Sequence, residues 1–442
     1  MNAVADQAAN GSASAPDARS GRPRGRQAAF GFIFAVAVIN NLSFGLMIPI
    51  LPGLIRSFFH TSMAAATASA ADWQFVFSLT WGTMQFVSGP VLGLLSDRFG
   101  RRPVLLISIL GLSIDFLVMT FAPTLGWLLV GRVLNGATAA TFSTANAYVA
   151  DISTAQTRAR NFGWMSAAFG IGFLLGPVTG GFLAAHDLQL GAFHLDGLRV
   201  PFLVAAGLCA VNWIYGFFVL PESLPVERRP TRFDWRRANP VASLALLRSH
   251  HDLTPLAAIN FLSQLAQQVL PGIFVLYTQF RYGWSLQFMS FTFLVTGGLG
   301  ILVQGFIVGP VVRRIGERGA VIVGVAAAVA GFTIYGLAST QWVYFLGMPI
   351  FALQGLMMPG LQGLMTQRVS PSEQGRLQGA NQSLGGISSI LGPLFPLVFA
   401  FALRHVPGLP GLPILIAAAL VALAFVLALR FARREALGPQ PA

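Results

Sequence analysis

Gly93-Leu-Leu-Ser-Asp97-Arg98-Phe-Gly100-Arg101-Arg102-Pro103 places one acid and three arginines in a short turn between two long apolar runs. A second version, Gly309-Pro-Val-Val-Arg313-Arg314-Ile-Gly316-Glu317-Arg318, begins 216 residues later. Two more pairs keep the same 216-residue offset: Arg160-Asn-Phe-Gly163 with Arg376-Leu-Gln-Gly379, and Gly176-Pro177 with Gly392-Pro393. Three landmarks at one spacing identify an internal repeat, and a charged turn between apolar runs points to a membrane protein made of two related halves.

The 442 residues are 55% hydrophobic and only 10% charged, far from a soluble average. A helix crosses a bilayer with about 20 mostly apolar residues, and about twelve such runs follow one another, from 28–57 to 412–430. Uninterrupted runs favour helices over the short alternating segments of a barrel. The predicted fold is all-α and integral to the membrane, with twelve transmembrane helices in two six-helix halves, 28–220 and 254–430. A basic tail at 1–27, rich in Ala, Ser, Gly and Arg, reads as disordered. A charged linker spans 221–253, and a short tail follows at 431–442.

The formal charge of +13 invites a nucleic-acid reading, but all 28 basic residues are Arg and their positions argue for topology instead. With the N-terminus in the cytoplasm, 23 fall in cytoplasmic loops and tails, and four (Arg56, Arg199, Arg281, Arg404) on the opposite side. This is the positive-inside pattern, so both termini are expected in the cytoplasm of a bacterial-type inner membrane. The lipid bilayer is the expected partner, with no nucleic acid and a monomeric chain. The single Cys209 rules out a disulfide within the chain and suits a small apolar packing role.

Within the opening turn, Gly93 and Gly100 permit close approach and a tight bend. Asp97 suits hydrogen bonds from arginines or a helix cap, and Arg98, Arg101 and Arg102 suit headgroups or acidic partners. These six residues are the expected conformational latch. Arg313 replaces the Asp in the second copy, so that half is expected to latch less strongly. In the fifth run, Gly172, Gly176 and Gly180 recur every four residues on one helix face, with Gly163 before them and Gly181 beside the last. Small residues at this spacing let helices touch closely in lipid, while Pro177 removes a backbone donor and is expected to bend the helix.

These two motifs resemble those of the major facilitator superfamily, and the Gly163-to-Gly181 pattern resembles the signature of its drug/proton antiporter branch. Ser96-Asp-Arg-Phe-Gly-Arg-Arg-Pro-Val-Leu-Leu106, Ser113-Ile-Asp115, Phe162-Gly-Trp164 and Gln374-Gly-Arg-Leu-Gln-Gly379 resemble the tetracycline/proton antiporters more narrowly. The resemblance implies a central cavity, alternating access between the halves, and export of amphipathic drug-like compounds in exchange for protons. No cofactor is implied; the proton is the coupling ion. The departures are specific. The tetracycline antiporters carry an acid in span one where this chain has Asn40, an acid in span nine aligned with Ala328, and a histidine in span eight near Gly300. None of these replacements titrates, which sets coupling through those positions aside and opens the question of cargo.

Asp115 is the acid deep inside a span, and an intramembrane ionisable group is functional by default because its burial is costly. At about 1.5 Å per residue, it lies about 18 Å from the cytoplasmic side, and Arg132 about 10 Å from the other side. Both fall at similar depth in a core about 30 Å thick, close enough to pair. The Arg132-Val-Leu-Asn-Gly136 pattern resembles the family's fourth-span sequence associated with proton transfer. Asp115 and Arg132 are therefore the proton-coupling candidates; a structural hydrogen bond or a structural cation is the plainer role for each.

Polar amides scattered through the apolar runs are either interhelical glue or the lining of a cavity for a small amphipathic substrate. The cavity candidates are Asn40, Asn41, Phe44, Gln85, Asn135, Gln264, Gln268, Tyr277, Gln304, Gln354 and Met365. No phosphate-binding loop, metal-ligand cluster or nucleophile–base pairing is evident, and His250-His251 reads as a solvated pair in the linker. An enzyme is not expected. An exporter of a metabolite or siderophore with different coupling, and a receptor-like protein that no longer transports, are the alternatives to drug efflux.

Overall fold

The computed structural model describes residues 23–436 apart from 140, 155, 192, 231–251 and 371–372. The start of the basic tail (1–22), most of the expected linker with His250 and His251, and residues 437–442 lie outside the described residues.

The first half contains α1 (Pro23–Ser57), α2 (Met63–Phe99), α3 (Arg101–Phe121), α4 (Leu125–Ala137), α5 (Thr141–Ile152), α6 (Arg158–Leu183) and α7 (Val200–Val219). The second contains α8 (Leu253–Gln267), α9 (Val269–Tyr282), α10 (Leu286–Leu302), α11 (Val308–Leu337), α12 (Gln341–Ala352), α13 (Met357–Thr366), α14 (Gln374–Leu391), α15 (Leu394–His405) and α16 (Leu412–Ala436). Among the described residues, nine helical stretches are long and apolar enough to cross a membrane. One of them, 286–337, contains a π turn at Val303–Ile307 and a non-helical Gly316, which divides it into two passages. With α2 and the α4–α5 pair added, the architecture accommodates the expected twelve. Several passages are broken near their middle. Span four divides between α4 and α5, and span seven at Gln268, three residues before Pro271 removes a backbone donor. A Gly392-Pro393 step divides span eleven. By contrast, α6 runs as one helix through Pro177.

Hydroxyls close the helix starts: Ser62 accepts from the amide of Ala65, Ser285 from Phe288 and Thr340 from Val343. Large apolar side chains such as Phe218 and Phe306 stand outward, 79% and 72% exposed, where a lipid-facing helix surface places them. One element was not anticipated. Leu188–Leu190 and Phe193–Leu195 pair as a short antiparallel hairpin on the arginine-poor side, turning at Gly191.

The repeat in the sequence is a repeat in the backbone. Gly100 and Gly316, one offset apart, both take positive φ, 106° and 72°, a conformation that costs glycine little. Gly176 faces the backbone of α1: a Cβ there would lie 2.7 Å from Gly45 Cα and 2.7 Å from the Leu42 carbonyl oxygen. Gly172 and Gly180 press on Asn41–Leu42 and Leu46 in the same way. Its repeat partner Gly392 presses on Gln268, where a Cβ would lie 2.6 Å from that side chain's Cβ. Gly181 faces the other way, against Ser290 of α10 in the second half, and Gly163 faces open space.

The opening turn is held from the far end of its own half. Glu222, just after α7, accepts the backbone N–H of Arg101 (2.8 Å) and Arg102 (3.2 Å), so it caps the start of α3. Arg101 pairs with Asp97 at 2.5 Å and with Asp151 at 3.2 Å, and Arg102 donates to the Phe217 carbonyl. Asp97 thus takes an arginine, and the cap falls to Glu222, at the start of the charged linker. In the second copy Glu317 accepts from Gln367 at 2.9 Å.

Two outcomes are expected. Gly176→Ala forces two backbones apart and lowers stability by about 1–3 kcal/mol, while Gly163→Ala changes it by less than about 0.5 kcal/mol; thermal unfolding in detergent separates them. Glu222→Ala removes the α3 cap and costs about 0.5–2 kcal/mol, read in the same assay, and an unchanged melting temperature would refute the capping role.

Candidate functional site: a buried ion pair between two cavities

Asp115 lies midway along α3 and Arg132 midway along α4, and the packing of these helices brings them together. Arg132 Nη2 donates to Asp115 Oδ2 at 2.5 Å, with the two residues 3% and 0% exposed. Asn135, one turn beyond Arg132, donates its Nδ2 to the same oxygen at 2.8 Å. Trp81 of α2 donates its indole N–H to Asn135 Oδ1 at 2.8 Å. The chain of contacts runs from α2 through α4 to α3. Gly131 makes the approach possible, since a Cβ there would sit 2.5 Å from Asp115 Oδ1. A charge in this setting requires pairing and hydrogen bonding to persist.

The remaining donors of Arg132 are poorly served. Nη1 reaches only the thioether of Met47 at 3.1 Å, Nη2 also touches Met119 sulfur at 3.3 Å, and Nε has no protein partner. Sulfur is a weak acceptor.

Two cavities meet at this network. The first, about 270 Å³, is formed by three helical stripes at i, i+3, i+4, i+7 spacing: Phe44 to Leu51 on α1, Gln74 to Trp81 on α2, and Ser389 to Pro396 across α14–α15. Pro52, Arg132, Phe173, Gln268, Pro271 and Gly272 complete its wall. The second, about 250 Å³, lies within the first half and nearer the arginine-rich side, between earlier residues of α1, later residues of α2, the Ser108–Phe116 face of α3 and the α4–α5 junction. Asn40, Asn41, Gln85 and Asn135 line it, and Phe44, Met47 and Trp81 are common to both. Among the described residues, no Asp or Glu lines either cavity.

Of the residues picked from sequence, Asn40, Asn41, Phe44, Gln85, Asn135 and Gln268 therefore line a cavity. Others do not. Tyr277 is buried, its hydroxyl donating to the Tyr335 carbonyl at 3.0 Å, and Met365 is fully enclosed in a core cluster with Leu364 and Leu377. Gln264 donates to Asn260, which donates to Asn381, an amide chain within the second half. Gln354 accepts from Gln267 in the same half, and Gln304 sits exposed on the π turn; neither lines a cavity. Ala328, at the aligned acid position, is buried in the hydrophobic core. The sequence reading missed Gln74, Phe77, Ser78 and Trp81, although their i, i+3, i+4, i+7 spacing carries a legible polar–aromatic face.

Contacts between the halves connect α6 with α10, α2 with α9, α14 and α15, and α1 with α9 and α10. Ser290 Oγ lies 2.7 Å from the Pro177 carbonyl oxygen across one such contact. Asp72 and Arg404, at the arginine-poor ends of α2 and α15, form the ion pair that joins the halves among the described residues.

Comparison with known proteins agrees with this architecture. The profile of the Major Facilitator Superfamily matches residues 33–393. The class C tetracycline resistance protein of Escherichia coli is 39% identical over 362 residues, 82% of this chain and 87% of the relative. The class G protein of Vibrio anguillarum is 34% identical, over 80% and 86% of the two chains. Among solved structures, a bacterial homolog to the human lysosomal transporter Spinster, inward-facing and unoccupied, superposes with a TM-score of 0.73. That match covers 93% of this chain and 98% of the other at 14% identity, so it speaks to the fold alone. The two-half repeat, the helical architecture and these relatives together place the chain in the Major Facilitator Superfamily, as a multi-pass membrane protein related to the tetracycline resistance proteins.

Proposed function

We propose that the protein exports amphipathic drug-like compounds, with tetracyclines the first candidates, in exchange for protons and by alternating access. The observation that carries this reading is the Asp115–Arg132 pair, buried at membrane depth on the wall shared with a central cavity. A proton reaching Asp115 neutralises the carboxylate and loosens its hold on Arg132, Asn135 and, through Asn135, Trp81. Protonation is thereby tied to the positions of α2, α3 and α4, the helices that shape both cavities. Asn40 and Ala328 offer no proton site, so the reading places coupling on this one pair.

Two features support alternating access. The ion pair between the halves sits at the arginine-poor side, and the second cavity lies toward the arginine-rich side. With the arginine-rich side in the cytoplasm of an inner membrane, this corresponds to a state closed to the outside. Rocking about the α6–α10 contact then breaks Asp72–Arg404, parts α2 from α15 and opens the cavity outward. The tetracycline resistance relatives support the choice of cargo.

In proteoliposomes, Asp115→Asn abolishes pH-gradient-driven tetracycline accumulation while leaving tetracycline counterflow measurable; unchanged drug-driven proton movement would refute the coupling role. Asp115→Ala leaves Arg132 buried without its charge partner and lowers stability by about 3–5 kcal/mol. The paired Asp115→Asn/Arg132→Gln variant recovers most of that loss in thermal unfolding.

A further inference from the structure

Resting on the reading of Asp115 as the proton site, we propose that Asn135 is a two-position switch and that the second cavity is the space in which it turns. In this structure Asn135 holds Trp81 against the wall of the first cavity. With a proton on Asp115 it turns onto Gln85 and Asn40, and Trp81 is released.

The present position is fixed by chemistry. An indole N–H only donates and a carboxylate only accepts. The Asn135 amide therefore has one orientation between them, Oδ1 toward Trp81 Nε1 at 2.8 Å and Nδ2 toward Asp115 Oδ2 at 2.8 Å. The backbones around it are locked. A Cβ on Gly136 would lie 2.5 Å from Met84 Cβ and 3.0 Å from the Trp81 carbonyl oxygen, so α2 and α4 are in close contact at this level and the side chains are what can move.

The other position has its partners in place. Asn40 of α1 and Gln85 of α2 line the second cavity with Asn135. Both are half-buried, and neither side chain makes a hydrogen bond among the described residues. Gln85 follows Trp81 by one turn, about 6 Å along α2, and its amide can both accept from and donate to the amide of Asn135. Charge decides between the positions. A hydrogen bond to a carboxylate is about twice as strong as one between neutral groups; protonation removes that advantage, and the amide partners in the second cavity then win. Among the described residues, Arg132 of α4 and Cys209 of α7 are the charged and titratable groups that face Asp115, and α2 and α5 bring it none.

The first cavity reads the switch through Trp81, whose side chain lines both cavities, with the Phe44 ring 5.9 Å away. Cargo resting on the ring in its held position favours the ionised Asp115. A proton on Asp115 frees the ring and weakens the cargo, so the two ligands exclude each other, as reciprocal coupling requires. Arg132 is the other path from Asp115 to this cavity, but it is only 3% exposed and its Nη1 is turned to Met47.

The experiment measures tetracycline binding to the purified full-length protein in uncharged detergent, by equilibrium dialysis at a series of pH values. The Kd is expected to rise at least about fivefold, the low end for coupled sites, as the pH falls from about 8 to about 5. Asp115→Asn removes the protein's share of this rise and leaves tetracycline's own titration. Trp81→Phe, which keeps a ring and loses the N–H, matches Asp115→Asn in slope whatever its Kd. Asn40→Leu/Gln85→Leu, which breaks no side-chain hydrogen bond of the present state, flattens the slope as well. An unchanged slope in either folded variant overturns the switch; if Asp115→Asn is still flat, the proposed function stands and coupling runs through Arg132. A slope that Asp115→Asn leaves unchanged overturns both readings. If neither variant folds, nitrogen NMR of the indole N–H groups decides. One resonance that shifts with pH in the unmodified protein and not in Asp115→Asn is expected, and the absence of any such resonance overturns the proposal.

Discussion

A carboxylate and a guanidinium at membrane depth must find each other or be lost, because hydrocarbon offers neither water nor counter-ions. In this protein the need is met by helices that pack so that Asp115 and Arg132 meet at 2.5 Å, with Asn135 adding a second donor and Trp81 orienting Asn135. Much else follows from that meeting. It fixes the register of α3 against α4, requires Gly131 to lack a side chain, and draws α2 to the same point. Since the two cavities share Trp81, the polar network that holds the first half together also shapes the space between the halves.

The second organising element is close backbone contact. In lipid, helix association relies on packing rather than on the hydrophobic effect, and α1 meets α6 with Gly45 directly over Gly176. The repeat partner Gly392 performs the same task against Gln268. The halves are thus alike in how they are assembled and unlike in what they present. The first brings Arg132 of the ion pair and the aromatic stripe to the central cavity, while the second brings prolines, two glycines, Ser389 and Gln268. This asymmetry gives the cavity one polar, ring-lined wall and one plain wall.

Much of the fold was legible because a bilayer permits few solutions. Apolar runs of sufficient length must be helices, and a common offset between Gly100 and Gly316, or Gly176 and Gly392, marks a repeat whatever the packing. The site was legible in part. Asp115 and Arg132 stood out because charge in an apolar run is rare, and counting residues along the spans put them at one depth. The amides were harder: Asn40 and Asn135 line a cavity while Gln264 joins an amide chain with Asn260, and nothing local distinguishes them. Tyr277 and Met365 were misplaced because an aromatic or thioether side chain suits core and cavity equally well. Glu222 escaped notice because its partners, the amides of Arg101 and Arg102, lie about 120 residues away in the chain.

By itself the sequence determined the helical architecture, the two-half repeat, the distribution of arginines to one side and the presence of a buried acid with a cation at its depth. These are properties of composition and spacing, and they hold for any packing the chain adopts. Only the tertiary structure decided which polar groups share a hydrogen bond, which helix stripes face the cavities, and that Glu222 rather than Asp97 caps α3. Each of these depends on the rotation of one helix against another. A turn of about 100° per residue moves a side chain from lipid to cavity or core, and the rotation is set by contacts between segments far apart in the chain.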